Sequence, residues 1–543
     1  MSDPGRDAPV HAEGGTWDYI IVGAGSAGCV LADKLSSSGL ARVMLLEAGP
    51  EASGLRYKVP ILGALESGNP RSDWLFSAEL DPSRNNRRDI YSRGRVVGGS
   101  GSINAMMYVR GNRADYDLWA RQGNVGWGYE DLLPYFRSIE GASADLPDLY
   151  GREGPVSISV TRRAHSMSRA FVKAVEEIGY PHNPGYNGAS QAGASITHVN
   201  QRRGMRCSSA KAFLERAIKR ENFRLITGAF AHRLLMTGRR ATGVEFSHLG
   251  ELRRATAVGE VIISAGPING PKLLMLSGIG DEKALRALGI VTIAHNPAVG
   301  GNLQDHCGLF LRAHVNVRTH NMDFNRLGKL RKAVEFAVFR GGAATYISPA
   351  VAFMKTSPEL DEPDLQFQFT PMGIEGTGSG MCMMATPVIT IHSFVNRLFT
   401  RGRVSLASAD PTMPPVIELP LLGDERDMKK VLTGGRIGRM ILQTAALAQY
   451  GTKEFSPGPA VQSDGEWRAY AREATMPLNH TAGSCRMGQD DNAVVDSALR
   501  VRGVDRLRVI DSSIIPELPN ANINAITMVI AAKGADAILS EPT

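Results

Sequence analysis

Six residues, Gly23-Ala24-Gly25-Ser26-Ala27-Gly28, separate a run that reads as a buried strand from a stretch with a helical apolar face. The strand is Trp17-Asp18-Tyr19-Ile20-Ile21-Val22. The helical stretch runs from Cys29 to Ser36 and carries Val30, Leu31 and Leu35 on one side. A second strand, Arg42-Val43-Met44-Leu45-Leu46, then ends on Glu47. That order constrains the chain to a parallel βαβ unit. Its glycines let the backbone approach a pyrophosphate at the helix N-terminus, where unpaired N–H groups point. Glu47 falls about 20 residues beyond the last glycine, placed to accept from a ribose hydroxyl. The spacing specifies a dinucleotide and leaves its identity open.

A chain of 543 residues exceeds one ordinary core, so two domains are expected. The balance of 61 basic and 54 acidic residues gives a formal charge of +7, spread in twos and threes such as Arg202-Arg203 and Arg239-Arg240. No basic block suggests a nucleic-acid partner. Five widely spaced cysteines, Cys29, Cys207, Cys307, Cys382 and Cys485, include no CxxC pair, which supports neither a disulfide framework nor a metal site. Residues 1–16 read as a flexible tail rather than a signal peptide. The most apolar candidate span, Ile526 to Leu539, contains Lys533 and Asp536 and reads as an ordinary helix, so no transmembrane segment is expected. A cytoplasmic protein is the corresponding expectation.

Residues 50–105 lack periodicity but contain a second glycine-rich loop, Gly94 to Asn104. Ala105 to Tyr108 and Asp115 to Ala120 read as helical. Strand signals follow at 156–160, 223–226, 243–246 and 260–264, the last ending in the turn Ala265-Gly266-Pro267. From about 314 to 470 strand-like pieces (389–393, 403–406) alternate with helical ones (428–445). The last 70 residues return to α/β character with a strand at 507–511 and a helix at 527–539. The two ends of the chain therefore build one unit around an insertion.

The chain resembles the glucose–methanol–choline oxidoreductases, a family of FAD enzymes, over nearly its whole length and in the same order of segments. The segments are Gly23 to Gly28 with Glu47, Gly94 to Gly111, Ser264 to Gly280, Val299 to His306, Asn479 to Gly488, Val509 to Pro516 and Asn522 to Ala525. The resemblance implies an α/β fold: a Rossmann-like FAD-binding domain with an inserted α+β substrate-binding domain on an antiparallel sheet. It divides the chain into 17–160 with 204–313 and 470–543 for FAD, and 161–203 with 314–469 for substrate.

By the same resemblance His480 matches the active-site base and Asn524 its hydrogen-bonding partner. The chemistry suits both: a neutral imidazole takes the hydroxyl proton, and an amide donates to the developing alkoxide while hydride leaves for the flavin. Gly23, Gly25, Ser26, Ala27, Gly28, Glu47 and Ala48 match the nucleotide cradle. Arg95 and Gly99 match the approach to the phosphates, and Ser100, Asn104 and Ala105 the segment beneath the isoalloxazine. Ala231 matches a backbone contact to adenine, Asp511 and Ser512 contacts to the pyrophosphate or ribityl side, and Asn522 a further cofactor contact. Asp305-His306 reads as a structural contact near the cofactor. No metal is implied.

Three departures refine the expectation. Ile103 stands where members with a covalent flavin bond carry histidine, so non-covalent FAD is expected. Gly101 replaces a serine, and Ile526 a proline. Leu478, two residues before His480, points toward the flavin and favours a dehydrogenase over an oxidase. The expected activity is FAD-dependent oxidation of a primary alcohol to an aldehyde, with electrons passing to a quinone- or dye-type acceptor or to O2. The alternative is a hydroxynitrile lyase-type reaction without net redox change. Met372, Gln368 and Phe394 are candidate pocket residues, while the particular alcohol and the oligomeric state are not legible.

Overall fold

A computed structural model describes residues 11–375 and 382–541. Two seven-stranded sheets organise them. The first has the strand order Phe223–Thr227, Val43–Glu47, His11–Val22, Glu251–Ile263, Arg240–His248, Phe230–Thr237, with Leu507–Val509 also paired to Glu251–Ile263. Its first four strands run parallel, and Val43–Glu47 is buried at every position, as a strand covered on both faces must be. Helix α1 (Ser26–Leu35) makes the crossover between His11–Val22 and Val43–Glu47.

The strand Glu251–Ile263 joins the chain ends. Its first half pairs antiparallel with Arg240–His248, and its last three residues pair parallel with Leu507–Val509. Along its other edge it carries His11–Val22, including His11, Ala12 and Thr16. Residues 11–16 are thus strand rather than tail, because the early half of that 13-residue strand offers them an open backbone edge. Residues 1–10 of the expected tail lie outside the described residues.

The second sheet is antiparallel, in the order Lys453–Ser456, Cys307–His314, Val388–Val395, Leu365–Thr370, Ala350–Met354, Gly193–Ile196, with Met476–Pro477 also on Cys307–His314. Cys307–His314 up to Ala313, and Met476–Pro477, fall inside ranges that the sequence assigned to the cofactor unit. The period of two in these strands sets up the site. Leu365, Phe367, Phe369, Ile389, Ile391 and Val395 join the apolar core shared with helices Ser166–Glu177 and Glu425–Gln443. Gln366, Gln368, His392 and Phe394 therefore occupy the opposite face.

Two more helices matter below: α2 (Arg326–Phe339) and α3 (Asn524–Ser540). α3 packs along α1 and is buried over most of its length. Among the described residues no helix is long and apolar enough to cross a membrane. Ala105 to Tyr108, read as helical from sequence, is instead irregular. Met106 takes φ 62°, which no helix accommodates, and the Tyr108 N–H donates to the His198 carbonyl at 2.9 Å.

Candidate active site

The parallel strands deliver their C-terminal ends, and the N-termini of α1 and α3, to one cavity of about 510 Å³. That is the size of a small-molecule site at the strand ends of an α/β sheet. At its floor Gly23 adopts φ 102°, and a Cβ there would stand 2.5 Å from the Ser264 carbonyl oxygen. A Cβ on Gly28 would stand 1.9 Å from the Gly23 oxygen, so helix and strand meet only through glycine. Gly25 differs. Its nearest protein atom would be 3.9 Å from a Cβ, yet it lines the cavity and caps α1 without a side-chain partner for the first helical N–H groups. Nothing within the protein requires glycine there; the space it leaves open at the helix N-terminus is where a phosphate would sit.

Glu47 accepts from the N–H groups of Ala24 at 2.9 Å and Gly49 at 2.8 Å, tying the glycine loop to the second strand. Burial pushes its carboxyl up to about 7, against the pull of those two N–H groups and of Arg95. Asp511 accepts from the N–H groups of Gly266 and Ser513, both at 2.8 Å, and closes the opposite side of the cradle.

His480 sits on a loop held by its backbone. The His480 N–H donates to Asp305 Oδ1 at 2.7 Å and the Asn479 N–H to Asp305 Oδ2 at 3.0 Å. Asn479 turns the loop at φ 60°, its Oδ1 accepts from the Ser92 N–H at 2.9 Å, and its carbonyl accepts from Arg93. Burial pushes Asp305 up to about 8, opposed by these N–H groups and by Arg93. The His480 side chain meets two partners: His306 Nδ1 lies 3.0 Å from its Nδ1, and Asn522 Nδ2 lies 3.2 Å from its Nε2. Burial, then His306 and Arg93, hold the His480 pKa well below the usual imidazole value, so the ring is neutral.

A chain of amides fixes which nitrogen of that ring is bare. The Pro363 carbonyl only accepts, so Asn520 presents its Nδ2 there at 2.7 Å. Asn520 Oδ1 then accepts from Asn396 Nδ2, which also donates to Gln366 Oε1 at 3.4 Å. Gln366 Nε2 donates to Asn522 Oδ1 at 3.0 Å, which turns the Asn522 amide N–H toward His480 Nε2. His480 Nε2 is therefore the acceptor, its proton is on Nδ1, and that proton is donated to His306 Nδ1. The remaining proton of His306 is then on its Nε2, which is buried without a hydrogen-bond partner, and burial holds His306 neutral, down at about 3.

The residues expected at the site line this single cavity with two exceptions. Gly28 packs against Gly23, and the Arg95 guanidinium lies over the Trp74 ring at 5.4 Å, off the cavity wall. Arg93, two residues earlier, lines it instead. The amide beside His480 is Asn522; Asn524, the first residue of α3, accepts from Ser26 Oγ at 2.6 Å and ties α3 to α1. A Cβ on Gly101 would stand 2.8 Å from that Ser26 oxygen. Gln368, Met372, Phe394 and Leu478 all line the cavity. Sequence reasoning missed Arg93 and Gln366 and assigned His306 no contact with His480; the alternation of the strand around Leu365 was the one available signal for Gln366.

A glycine cradle for a dinucleotide and a neutral, oriented histidine in one cavity define a nucleotide-dependent enzyme on a Rossmann-like α/β fold. Comparison with known proteins gives its family. The sequence matches GMC oxidoreductase over residues 17–308 and again over 399–531. It is 39% identical over 529 residues to "Oxygen-dependent choline dehydrogenase" of Vibrio vulnificus, covering 96% of this chain and 94% of that protein. It is 37% identical to "Alcohol dehydrogenase [acceptor]" of Pseudomonas putida, with 96% of each chain covered. Among solved structures, an FAD-dependent oxidoreductase from Chaetomium thermophilum superposes with a TM-score of 0.87 at 25% identity, covering 96% of this chain and 99% of that one. The chain belongs to the GMC oxidoreductase family and is an oxidoreductase acting on CH–OH groups.

Proposed function

We propose that the protein oxidises an uncharged primary alcohol to its aldehyde, with FAD as the hydride acceptor in the glycine cradle. The observation that carries this reading is the His480–Asn522 pair in the same cavity as that cradle. When bound, FAD supplies the two-electron acceptor for the substrate hydride. Gly23, Gly25, Ser26 and Ala27 fit its pyrophosphate, Glu47 and Ala48 its ribose, Ala231 its adenine, and Asp511 and Ser512 the ribityl side. Gly99, Ser100, Asn104 and Ala105 line the wall beside the ring site. Ile103 offers no nucleophile there, which supports non-covalent binding.

The bare Nε2 of His480 accepts the substrate hydroxyl proton, with its other proton already committed to His306. The Asn522 amide, displaced from Nε2 by the incoming hydroxyl, donates to the oxygen as its charge develops. Burial and Arg93 make the doubly protonated ring unfavourable, so the proton is released once oxidation is complete. Asn524 is a structural tie between the two helices in this reading, and Asn522 the active amide.

The wall that the second sheet and its connections contribute carries Gln368, Met372, Met383, Phe394, Phe324 and Ile347. Among the described residues the carboxylates lining the cavity are Glu47 and Asp511, both at the cradle. A quaternary ammonium substrate calls for an anionic or closed aromatic cage, and this wall, with no carboxylate and with Phe324 and Phe394 set among Met and Ile side chains, supports an apolar aliphatic or aryl alcohol instead. Leu478 on the wall beside His480 favours transfer of electrons to a quinone- or dye-type acceptor over O2.

An anaerobic absorbance scan of the holoenzyme against hexanol, benzyl alcohol and choline tests the reading. Bleaching by the apolar alcohols and not by choline is the expected result. His480→Ala should keep its yellow flavin and bleach slower by a factor of about 10² to 10⁴. A wild-type flavin that no alcohol bleaches, together with cleavage of a cyanohydrin, would replace this function with the lyase reaction.

A further inference from the structure

Helix α2 presents an apolar face to solvent. Leu327, Leu330, Val334 and Val338 are 81, 63, 53 and 65% exposed. At 3.6 residues per turn these four positions fall within an arc of about 80°. The opposite side of the helix faces the protein. Gly328 is buried with space for a Cβ only 2.4 Å from the Asp323 backbone, and Lys332, Glu335 and Phe336 are half-buried. The stripe is thus not a core face that failed to find its partner; the helix has its packing side already occupied.

Basic residues frame the stripe. Arg326 and Arg331 flank it on either side, Lys329 and Arg340 lie further round the helix, and Glu335 is the one acid between 326 and 340. Asp323 pairs with Arg331 and Lys332 at the base of the helix, and Asn325 caps its start by accepting from the Gly328 N–H at 2.8 Å. The helix begins two residues after Phe324, which lines the cavity. Leu65, 46% exposed, lines it as well. The turn Ala343–Thr345 packs against both α2 and the short helix Pro60–Ala64 that precedes Leu65, so α2 lies beside the stretch of cavity wall formed by Leu65 and Phe324. Leu55 and Leu62 add exposed apolar surface along the same segment.

We propose that α2 is an interfacial anchor that seats its Leu327–Val338 stripe in the boundary layer of an anionic lipid bilayer. An exposed apolar arc on a helix framed by lysine and arginine is the pattern that binds such a surface. A second copy of the chain fits less well, because two α2 faces meeting across a twofold axis would oppose basic residue to basic residue. The docking stands independently of the reaction assigned above. It orients the stretch of cavity wall at Leu65 and Phe324 toward the lipid.

Flotation of the holoprotein with phosphatidylcholine vesicles, with and without phosphatidylglycerol, tests the proposal. Wild-type protein should float with the anionic vesicles and be released by high salt. Leu330→Glu with Val334→Glu should lower the floated fraction by about tenfold or more and leave alcohol-dependent reduction of a soluble dye unchanged. Val334→Trp should show blue-shifted emission on adding anionic vesicles, a positive signal that needs no loss of function. Failure of the wild type to float with either vesicle would overturn the anchor, and so would flotation that the double substitution leaves intact. A wild-type dimer in light scattering that the double substitution dissociates would assign the stripe to a second copy instead.

Discussion

The Nδ1 atoms of His306 and His480 face each other at 3.0 Å, with ring planes 85° apart. Two imidazole nitrogens hold such a distance when one of them carries the proton, and the amide chain through Gln366 and Asn522 places it on His480. In the proposed reaction His306 is therefore a positioning residue: its Nδ1 accepts from the Nδ1–H of His480 and so keeps the proton off Nε2. His306→Ala should slow anaerobic flavin reduction by about 10- to 100-fold without loss of flavin, whereas His306→Gln, which keeps an acceptor, should lose less. Stopped-flow reduction traces of the two variants check this, and equal losses would remove the tautomer argument.

The pH dependence follows from the same pair. Burial, His306 and Arg93 depress the His480 pKa, so the neutral, competent ring persists as pH falls through the ordinary imidazole range. The rate of flavin reduction should stay flat from about pH 8 down past about pH 6.5 and fall only in more acid solution. In His306→Ala one of the depressing groups is gone, and the acid limb should move toward neutrality. A wild-type limb centred at or above the free imidazole value would contradict the burial seen here.

Gln366 tests the direction of the amide chain without touching substrate. Gln366→Glu puts an acceptor where Nε2 now donates, so Asn522 must reverse, offering its N–H to the carboxylate and its oxygen to His480. His480 Nε2 would then have to carry the proton. Flavin reduction should fall by about 10²-fold or more, and more steeply than in Gln366→Met, which removes the donor without imposing the reversal. Comparable rates in the two variants would argue against a polarised chain.

Two neighbouring glycines should separate folding from cofactor retention. Gly28→Ala forces a Cβ to within 1.9 Å of the Gly23 carbonyl oxygen and should cost about 3 kcal/mol or more, read as a large fall in Tm. Gly25→Ala has space inside the protein but places its methyl in the cradle. It should fold normally and bind FAD at least about tenfold more weakly, seen as purification in colourless form. A yellow Gly25→Ala protein of unchanged affinity would mean that the pyrophosphate lies elsewhere.

The cradle was legible because its parts are local: a strand, a glycine loop, a helix and an acid follow within 31 residues of Trp17. The candidate base, His480, was legible only through resemblance. The amide that the structure sets beside it, Asn522, stands two residues before Asn524, the one the resemblance implied, for a physical reason. Asn522 precedes α3 and Asn524 opens it, and residues two apart at a helix start point some 200° away from each other. Which one meets His480 depends on where the helix begins, and propensity locates such boundaries poorly. His306 lies 174 residues from His480, a contact no periodicity encodes. The stripe on α2 has helical spacing in the sequence, but spacing alone does not tell an inward face from an outward one.

The bond from Ser26 to Asn524 spans 498 residues. At ordinary synthesis rates of about 5–20 residues per second, roughly 25–100 s separate the emergence of the glycine loop from that of the helix that closes over it. During that interval the growing chain holds one half of a nucleotide seat, so FAD loading should wait for α3 to leave the ribosome. Any truncation that removes α3 should yield a protein that never acquires colour, however much of the upstream fold survives.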